Sequence, residues 1–179
     1  MDGPTQDSLH WFNIIFPAIT GLLGVLLGGL ITSQNAKNER LNRRRREQLD
    51  FYGAMHGMQQ NIRAKSETRL KLRNIERRQR DTSGLEAQMK YDNEQLTQEL
   101  VPLYRAMLDL WTKNIALAER STQAFYTIFV EYVEIWNRGL AKAIGSETIF
   151  EAEHDETKLH PFYEDLKKQV ERLQALLNE

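Results

Sequence analysis

Residues 11–32 read WFNIIFPAITGLLGVLLGGLIT, an uncharged stretch that contains four glycines and one proline. At ~1.5 Å per residue, a helix of this length spans roughly 33 Å, enough to cross the ~30 Å hydrocarbon core of a bilayer. The alternative is a helix buried inside a soluble protein, but a dense basic stretch follows at once, as is typical of a membrane boundary. The sequence therefore predicts a transmembrane helix over residues 11–32.

The net charge of −1 conceals an uneven distribution along the chain. Residues 1–10 carry −2, residues 33–80 carry +9, and residues 81–179 carry −8. Lys and Arg close to a membrane span mark the side that stays in the cytoplasm. We therefore expect a short extracytoplasmic tail, residues 1–10, and a cytosolic carboxy-terminal part. A cleaved secretory signal is the competing interpretation, but it requires a positive amino-terminal region, which the tail lacks.

Small residues recur along the predicted span at spacings of three and four. These residues share one side of a helix, where a neighbouring backbone can approach closely. They are Ala18, Gly21, Gly24 and Gly28. The pattern predicts lateral helix packing between copies of the chain, although glycine is also common in membrane helices that pack against nothing in particular.

A basic helical stalk is expected over residues 33–48. Four consecutive arginines cover nearly the whole circumference of a helix, so this part cannot turn one side to an apolar core. The cations of the predicted stalk are Lys37, Arg40, Arg43, Arg44, Arg45 and Arg46. Three roles remain open for them: fixing the membrane topology, contacting anionic lipid, and binding nucleic acid or another polyanion.

The remaining residues, 49–179, show helical periodicity and no alternating strand pattern of useful length. They predict an all-α fold, with the anchor and stalk leading into a cytosolic antiparallel helical bundle. The first helix is expected to end near Arg80, and Pro102 to interrupt a helix running from Leu85 to Ala118. An aromatic helix is expected to begin at Ser121 or Thr122 and to end at Gly145. A short helix over 146–150 and a last helix over about 161–177 complete the bundle. The expected apolar stripes consist of Phe125, Phe129, Tyr132, Trp136 and Leu140 on the aromatic helix, and of Phe162 or Tyr163, Leu166, Val170, Leu173 and Leu177 on the last helix.

Catalytic motifs are not recognisable in the sequence. The chain contains no cysteine, and it has no phosphate-binding glycine loop, no paired-histidine zinc helix and no nucleophile beside a base. The acidic stretch around His154 offers metal ligands, but exposed acidic loops with one histidine are far commoner than metal sites. We therefore expect no enzymatic activity, no cofactor and no metal.

Charged residues close to the apolar stripes predict a polar network between helices, because an unpaired charge there is costly. The candidates are Arg63, Lys65, Arg69, Arg73, Glu119, Glu131 and Glu134. A basic groove for an anionic ligand is the alternative interpretation of the same cations.

Four segments resemble a group of uncharacterised bacterial single-pass membrane proteins: FYGAMHGMQQNIRAKSETRLKL, LVPLYRAML, YVEIWNRGLAKAI and KLHPFYEDL, preceded by PAITGLLGVLLGG. The resemblance implies a bacterial inner-membrane protein with a helical cytosolic domain, and it transfers no catalytic residue. In layout alone, the chain is also similar to membrane-anchored, pore-forming accessory proteins of CRISPR systems, although the Arg-to-His motif of those helical domains is missing.

Together these patterns lead to the hypothesis of a non-enzymatic homo-oligomer in the lipid bilayer. Its expected output is a change at the membrane, such as a pore or altered permeability in a stress or phage-defence response. The rival hypotheses are an adaptor that tethers a cytosolic protein partner and a stalk that binds a polyanion.

Overall fold

The computed structural model describes residues 6–79, 84–152 and 154–178. Within these ranges all regular structure is helical and no strand is formed, so the fold is all-α as the sequence predicts. Some side chains inside the helices are not among those described, namely those of residues 6–31, 76, 77, 79, 85, 146 and 150.

The first helix, α1, spans Gln6–Gln79 and is 74 residues long. The helix is described to Gln79, and the predicted stop near Arg80 lies at residues outside the described ranges. The side chains of the predicted membrane span, almost all of residues 11–32, lie outside those described, as does the packing of Ala18, Gly21, Gly24 and Gly28. Within the part of the chain that the structure describes, no helix has the length and apolar character needed to cross a bilayer.

The chain divides into two compact units, Met1–Arg44 and Arg45–Glu179. In the first unit, the described side chains from Thr32 to Arg44 are all exposed. The second unit begins inside the predicted stalk. Gln48, at the end of that stalk, is already 8% exposed, and its amide donates to the Leu117 carbonyl oxygen at 2.9 Å.

The second unit continues α1 with further helices joined by short connections. In chain order these are α2 (Leu85–Gln95), a π-helical segment (Leu96–Leu100), α3 (Val101–Lys113), a 3-10 turn (Ile115–Leu117), α4 (Arg120–Gln123), α5 (Tyr126–Leu140), α6 (Ser146–Glu151), a second 3-10 turn (Glu156–Leu159) and α7 (His160–Asn178).

Pro102 changes the hydrogen-bond register of the helix in which it lies. Proline has no N–H group, so the Gln98 carbonyl loses its usual helical donor. The preceding turn, Leu96–Leu100, is π-helical, and Pro102 stands in the first turn of α3. A wider turn of this kind absorbs a local disruption without ending the helix. The expected effect of Pro102 therefore takes the form of a π-helical turn between α2 and α3, and the chain stays helical through it.

The predicted start of the aromatic helix was wrong. The chain forms a separate turn of helix, α4, from Arg120, and α5 begins only at Tyr126. Ala118, expected on the preceding helix, is extended at φ −72° and ψ 133°. Thr122 is fully buried rather than exposed at a helix start, because its hydroxyl takes part in long-range hydrogen bonds that a local pattern does not reveal.

The predicted end of the aromatic helix was also wrong. Helix α5 stops at Leu140, and Lys142 adopts the left-handed conformation, φ 55°, that we expected of Gly145. The Lys142 and Ala143 amides donate to the carbonyls of Gly139 and Arg138, which satisfies the free carbonyls at the helix end. A glycine is the commonest residue in this conformation but is not required for it.

One aromatic and aliphatic core holds α1, α3, α5 and α7 together. Trp111 is fully buried at its centre and stacks on Phe162, with ring centroids 4.7 Å apart and an interplanar angle of 10°. Phe129 contacts both rings at centroid distances of 5.7 and 5.3 Å. The stripes predicted on the aromatic and last helices supply this core through Phe129, Tyr132, Phe162, Tyr163, Leu166 and Leu173.

Beyond Ile62, none of the described side chains of α1 is buried in the core. Residues 63–79 of α1, together with α2, form what we call the arm. Apolar side chains of the arm stay in solvent, and among the described ones Leu70, Leu72, Ile75, Met89 and Tyr91 are 40–60% exposed.

Candidate functional site

A groove between α1 and α7 has a volume of about 700 Å³. One wall comes from the side of α1 that follows the core residue Met55. The other comes from the start of α7 and the turn before it. The lining residues are His56, Gln59, Gln60, Arg63, Ser66, Glu67, Leu70, Glu156, His160, Tyr163, Glu164 and Lys167.

The groove carries charges of both signs. Arg63 donates to Glu67 at 2.7 Å, and this hydrogen bond and charge raise the pKa of the guanidinium, with Glu164 and Glu156 acting more weakly in the same direction. Both Arg63 and Glu67 are about 60% exposed. The arrangement can therefore bind a polar segment of mixed charge, whereas the basic groove considered from the sequence required cations alone.

Neutral tyrosines form the floor of the groove and the core beneath it. Burial raises the pKa of Tyr104, Tyr132 and Tyr163 well above the ordinary value, so all three remain protonated. The Tyr104 hydroxyl donates to Glu156 at 3.1 Å. The Tyr163 hydroxyl is buried beside the Tyr104 hydroxyl, and the two groups influence each other's pKa. A phenol so strongly protonated is not suited to act as a base.

The second cavity, which we call the α5 dimple, has a volume of about 290 Å³. Ile128, Glu131 and Ile135 recur on one side of α5 and line it, with Tyr132 beneath. Ile128 is 41% exposed. The opposite wall consists of Ala152, His154 and Lys158.

His154 is held between aromatic rings at the edge of the dimple. It stacks on Tyr132 with centroids 4.2 Å apart and meets Trp136 edge-on at 5.1 Å. Both ring nitrogens are buried without a described partner. Burial lowers the pKa of His154, Lys158 lowers it further, and Asp155 and Glu131 oppose the shift. Among the described residues, no group of three or more side chains is placed to hold a metal ion.

A buried hydrogen-bond network connects α1 to α7 through the start of α4. The Tyr52 hydroxyl bonds to the Thr122 hydroxyl at 2.8 Å and accepts the Glu119 backbone N–H at 2.7 Å. Thr122 donates in turn to Asp165 at 2.5 Å. Burial is the main cause that raises the pKa of Tyr52. Every hydrogen-bonding group named in this network has a partner. The network therefore fixes the packing of α1, α4 and α7 and offers no free group to a ligand.

The predicted polar network is divided among partners that lie outside the predicted set. Two cations of α1 form ion pairs with carboxylates of the segments that follow it. Arg73 bonds to Asp92 of α2 at 2.8 Å, and Lys65 pairs with Glu99 of the π-helical segment. Arg69 lies between them with its Nε atom buried and without a described partner.

The acidic members of the set are also apart from one another. Glu119 pairs with Arg172 at 2.9 Å, and Glu134 pairs with Arg138 one turn along α5, which lowers the pKa of Glu134. Glu131 lines the α5 dimple. Helical periodicity placed these residues near apolar stripes but did not reveal which helix each one faces.

The cations of the predicted stalk are mostly at the surface. Lys37, Arg40, Arg43, Arg44 and Arg46 are exposed. Arg45 is half-buried and donates to the Leu176 carbonyl at the end of α7, at 3.4 Å. This last contact is typical of a cation near the negative end of a helix.

Two features of these sites had no signal in the sequence. Asp92 and Glu99 were not among the candidates, because nothing local distinguishes a carboxylate that meets an arginine on another helix. The Thr122 hydroxyl was assigned to a helix cap, the commonest use of that residue type at such a position.

Comparisons with known proteins give no relative for this chain: no family model, curated protein or solved structure matches it. The function must be inferred from the residues and their geometry.

Proposed function

We propose that this chain is a non-enzymatic, single-pass protein of a bacterial inner membrane that forms homo-oligomers and acts at the membrane. The observation that carries the proposal is the order of features along one helix. Helix α1 runs from Gln6 to Gln79 and contains, in turn, the uncharged stretch, the basic stretch and the first residues of the core. A charge-free stretch long enough to span a bilayer, followed by Lys and Arg, is the pattern of an anchor with a cytosolic body.

Self-association is proposed through the glycine side of the anchor. Helices in lipid gain little from the hydrophobic effect on meeting, so small residues that allow close backbone contact favour association. Ala18, Gly21, Gly24 and Gly28 supply such a side. The output that we propose is altered permeability, with the anchors forming a pore in a stress or phage-defence response.

The topology is tested by labelling single cysteines, because the native chain has none. Ser8→Cys should react with a membrane-impermeant maleimide added to intact spheroplasts. Gly145→Cys is the counterpart in the helical body, where an added Cβ meets no atom within 4 Å. It should react only after lysis. Reaction of both cysteines before lysis, or release of the protein from membranes by carbonate, would contradict the anchor.

The glycine side is tested by oxidative crosslinking in isolated membranes. Gly24→Cys lies on the proposed contact side, and Leu26→Cys lies about 160° round the helix at 100° per residue, which makes it the matched control. We expect a disulfide-linked dimer from Gly24→Cys and much less from Leu26→Cys. Equal crosslinking at both positions would show random collision instead of a specific contact.

A membrane-tethered adaptor is the second candidate function, and the groove between α1 and α7 favours it. This groove has a volume of about 700 Å³ and charges of both signs, and Tyr163 contributes a buried side chain to its lining. A segment of a cytosolic protein could occupy it. A purification that recovers one partner in stoichiometric amount, with no self-association in detergent, would support the adaptor over the homo-oligomer.

A further inference from the structure

The outer side of α1 in the arm combines exposed apolar and basic residues. Lys71, Leu72, Ile75 and Arg78 fall within a sector of about 120° on the helix at 100° per residue. All four are exposed, Leu72 by 50% and Ile75 by 40%. We call these four residues the arm face. The opposite side of the same segment is occupied by Arg73, which pairs with Asp92.

The α5 dimple has the complementary properties. Its apolar lining, Ile128 and Ile135, is exposed in part, and its volume is about ten times the ~30 Å³ of a water molecule in the liquid. Its surroundings carry more negative than positive charge: Glu131 lines it and Asp155 is close enough to influence the pKa of His154, while Lys158 is a cation of the lining. An occupant that presents aliphatic side chains flanked by cations fits this chemistry.

We propose that the arm face of one copy docks in the α5 dimple of a second copy. Leu72 and Ile75 would cover the exposed isoleucines, while Lys71 and Arg78 would face Glu131 and Asp155. The alternative pairing, one arm face against another, would oppose cations to cations and is unfavourable. The charge pattern therefore selects an unlike contact between two copies.

This inference rests on the proposed membrane anchor. With the copies already held together by their anchors, a small contact between the helical bodies is sufficient for assembly. Copies held together by their anchors meet at high effective concentration, so a weak second contact adds strongly to assembly. Because the contact joins two different surfaces, each bound copy still offers one free arm face and one free dimple. Such contacts continue to further copies and close into a ring when the rotation allows.

Mixed crosslinking of the full-length chain tests the contact. Two differently tagged chains, one with Ile75→Cys and one with Ile128→Cys, are co-expressed, purified together in detergent and oxidised. We expect a mixed disulfide dimer. The matched control replaces Ile128→Cys by Ile115→Cys, which is equally accessible at 43% exposure but lies on the turn after α3.

A mixed dimer that depends on Ile128→Cys supports the proposal. Three results would overturn it: no mixed dimer, equal yield with the Ile115→Cys control, or a predominance of Ile75→Cys homodimers. If Gly24→Cys still crosslinks in membranes while the mixed pair does not, this inference fails and the proposed anchor assembly stands. If neither crosslinks, both fail.

Charge reversal provides a second, independent readout. Lys71→Glu or Glu131→Lys alone should weaken association of the detergent-purified chain about 1.5- to fivefold, the scale expected for an exposed ion pair. Mixing the two variants should restore the association between unlike copies. Both positions are exposed, so the variants should fold normally. Failure of the mixture to recover would contradict a direct contact between the two surfaces.

Discussion

Two successive segments of α1 are held in place by different interactions. From Phe51 to Ile62 the helix is fixed by burial, with Tyr52, Met55 and Ile62 at most 1% exposed. From residue 63 to Gln79 it is held by ion pairs, Lys65 to Glu99 and Arg73 to Asp92, while its aliphatic side chains stay in solvent. The first segment satisfies its apolar residues inside one copy, whereas the second leaves them available to another molecule.

The largest expected difference comes from truncating one isoleucine in each segment. Ile62→Ala should lower the free energy of unfolding by about 2–5 kcal/mol, because it opens a cavity in the core. Ile75→Ala, the matched change in the arm, should cost no more than about 0.5 kcal/mol. Urea denaturation of the full chain in detergent measures both, and similar losses would mean that the arm is packed within one copy.

Removing one tyrosine hydroxyl from the core and one from the arm compares the polar contacts of these two regions. Tyr52→Phe removes the acceptor of the Glu119 N–H and the partner of Thr122, and should cost about 1–3 kcal/mol. Tyr91→Phe removes a hydroxyl from a residue that is 60% exposed in the arm, so it should change the free energy of unfolding very little. Equal effects in the same denaturation assay would argue against the buried network.

Removing an ion pair of the arm should lower the free energy of unfolding by less than truncating Ile62 or removing the Tyr52 hydroxyl. The Asp92 side chain is 7% exposed and bonded to Arg73, so Asp92→Asn should destabilise the chain by about 1–2 kcal/mol. Glu67→Gln breaks an exposed pair within α1 and should cost about 0.5 kcal/mol or less. If Asp92→Asn is as harmless as Glu67→Gln, the arm depends on contacts other than this pair.

The smallest effect is a pH dependence at His154. Its pKa is lowered in the folded chain, so the unfolded chain binds the proton more readily. Stability should therefore decrease as the pH falls below the ordinary histidine pKa of about 6.5. Between neutral and mildly acidic pH, the melting temperature of His154→Asn should decrease less than that of the native chain. An unchanged decrease would assign the acid sensitivity to other groups.

Helical periodicity was sufficient for much of the fold. It predicted the all-α class and the core residues Phe129, Tyr132 and Phe162, because burial on one side of a helix leaves a repeating pattern in the sequence. It could not predict that Arg73 meets Asp92, since the partner depends on how two helices are rotated about their connection. The positive φ of Lys142 was missed for a related reason: residue preference favours glycine there, but tertiary packing decides.

The candidate sites were predicted less well than the fold. The α5 dimple and the groove between α1 and α7 form where separate elements meet, and neither has a motif. Glu131 was singled out for an ion pair, whereas it lines a partly apolar cavity. The anchor, its glycine side and the stalk remain predictions from composition.

The most direct test of the central claim is the protein mass of the detergent-purified full-length chain, measured by light scattering with the detergent contribution subtracted. Association through the anchors and through two unlike surfaces predicts a discrete assembly of more than two copies. A mass corresponding to one or two copies would contradict the account, because too few helices would be present to enclose a pore.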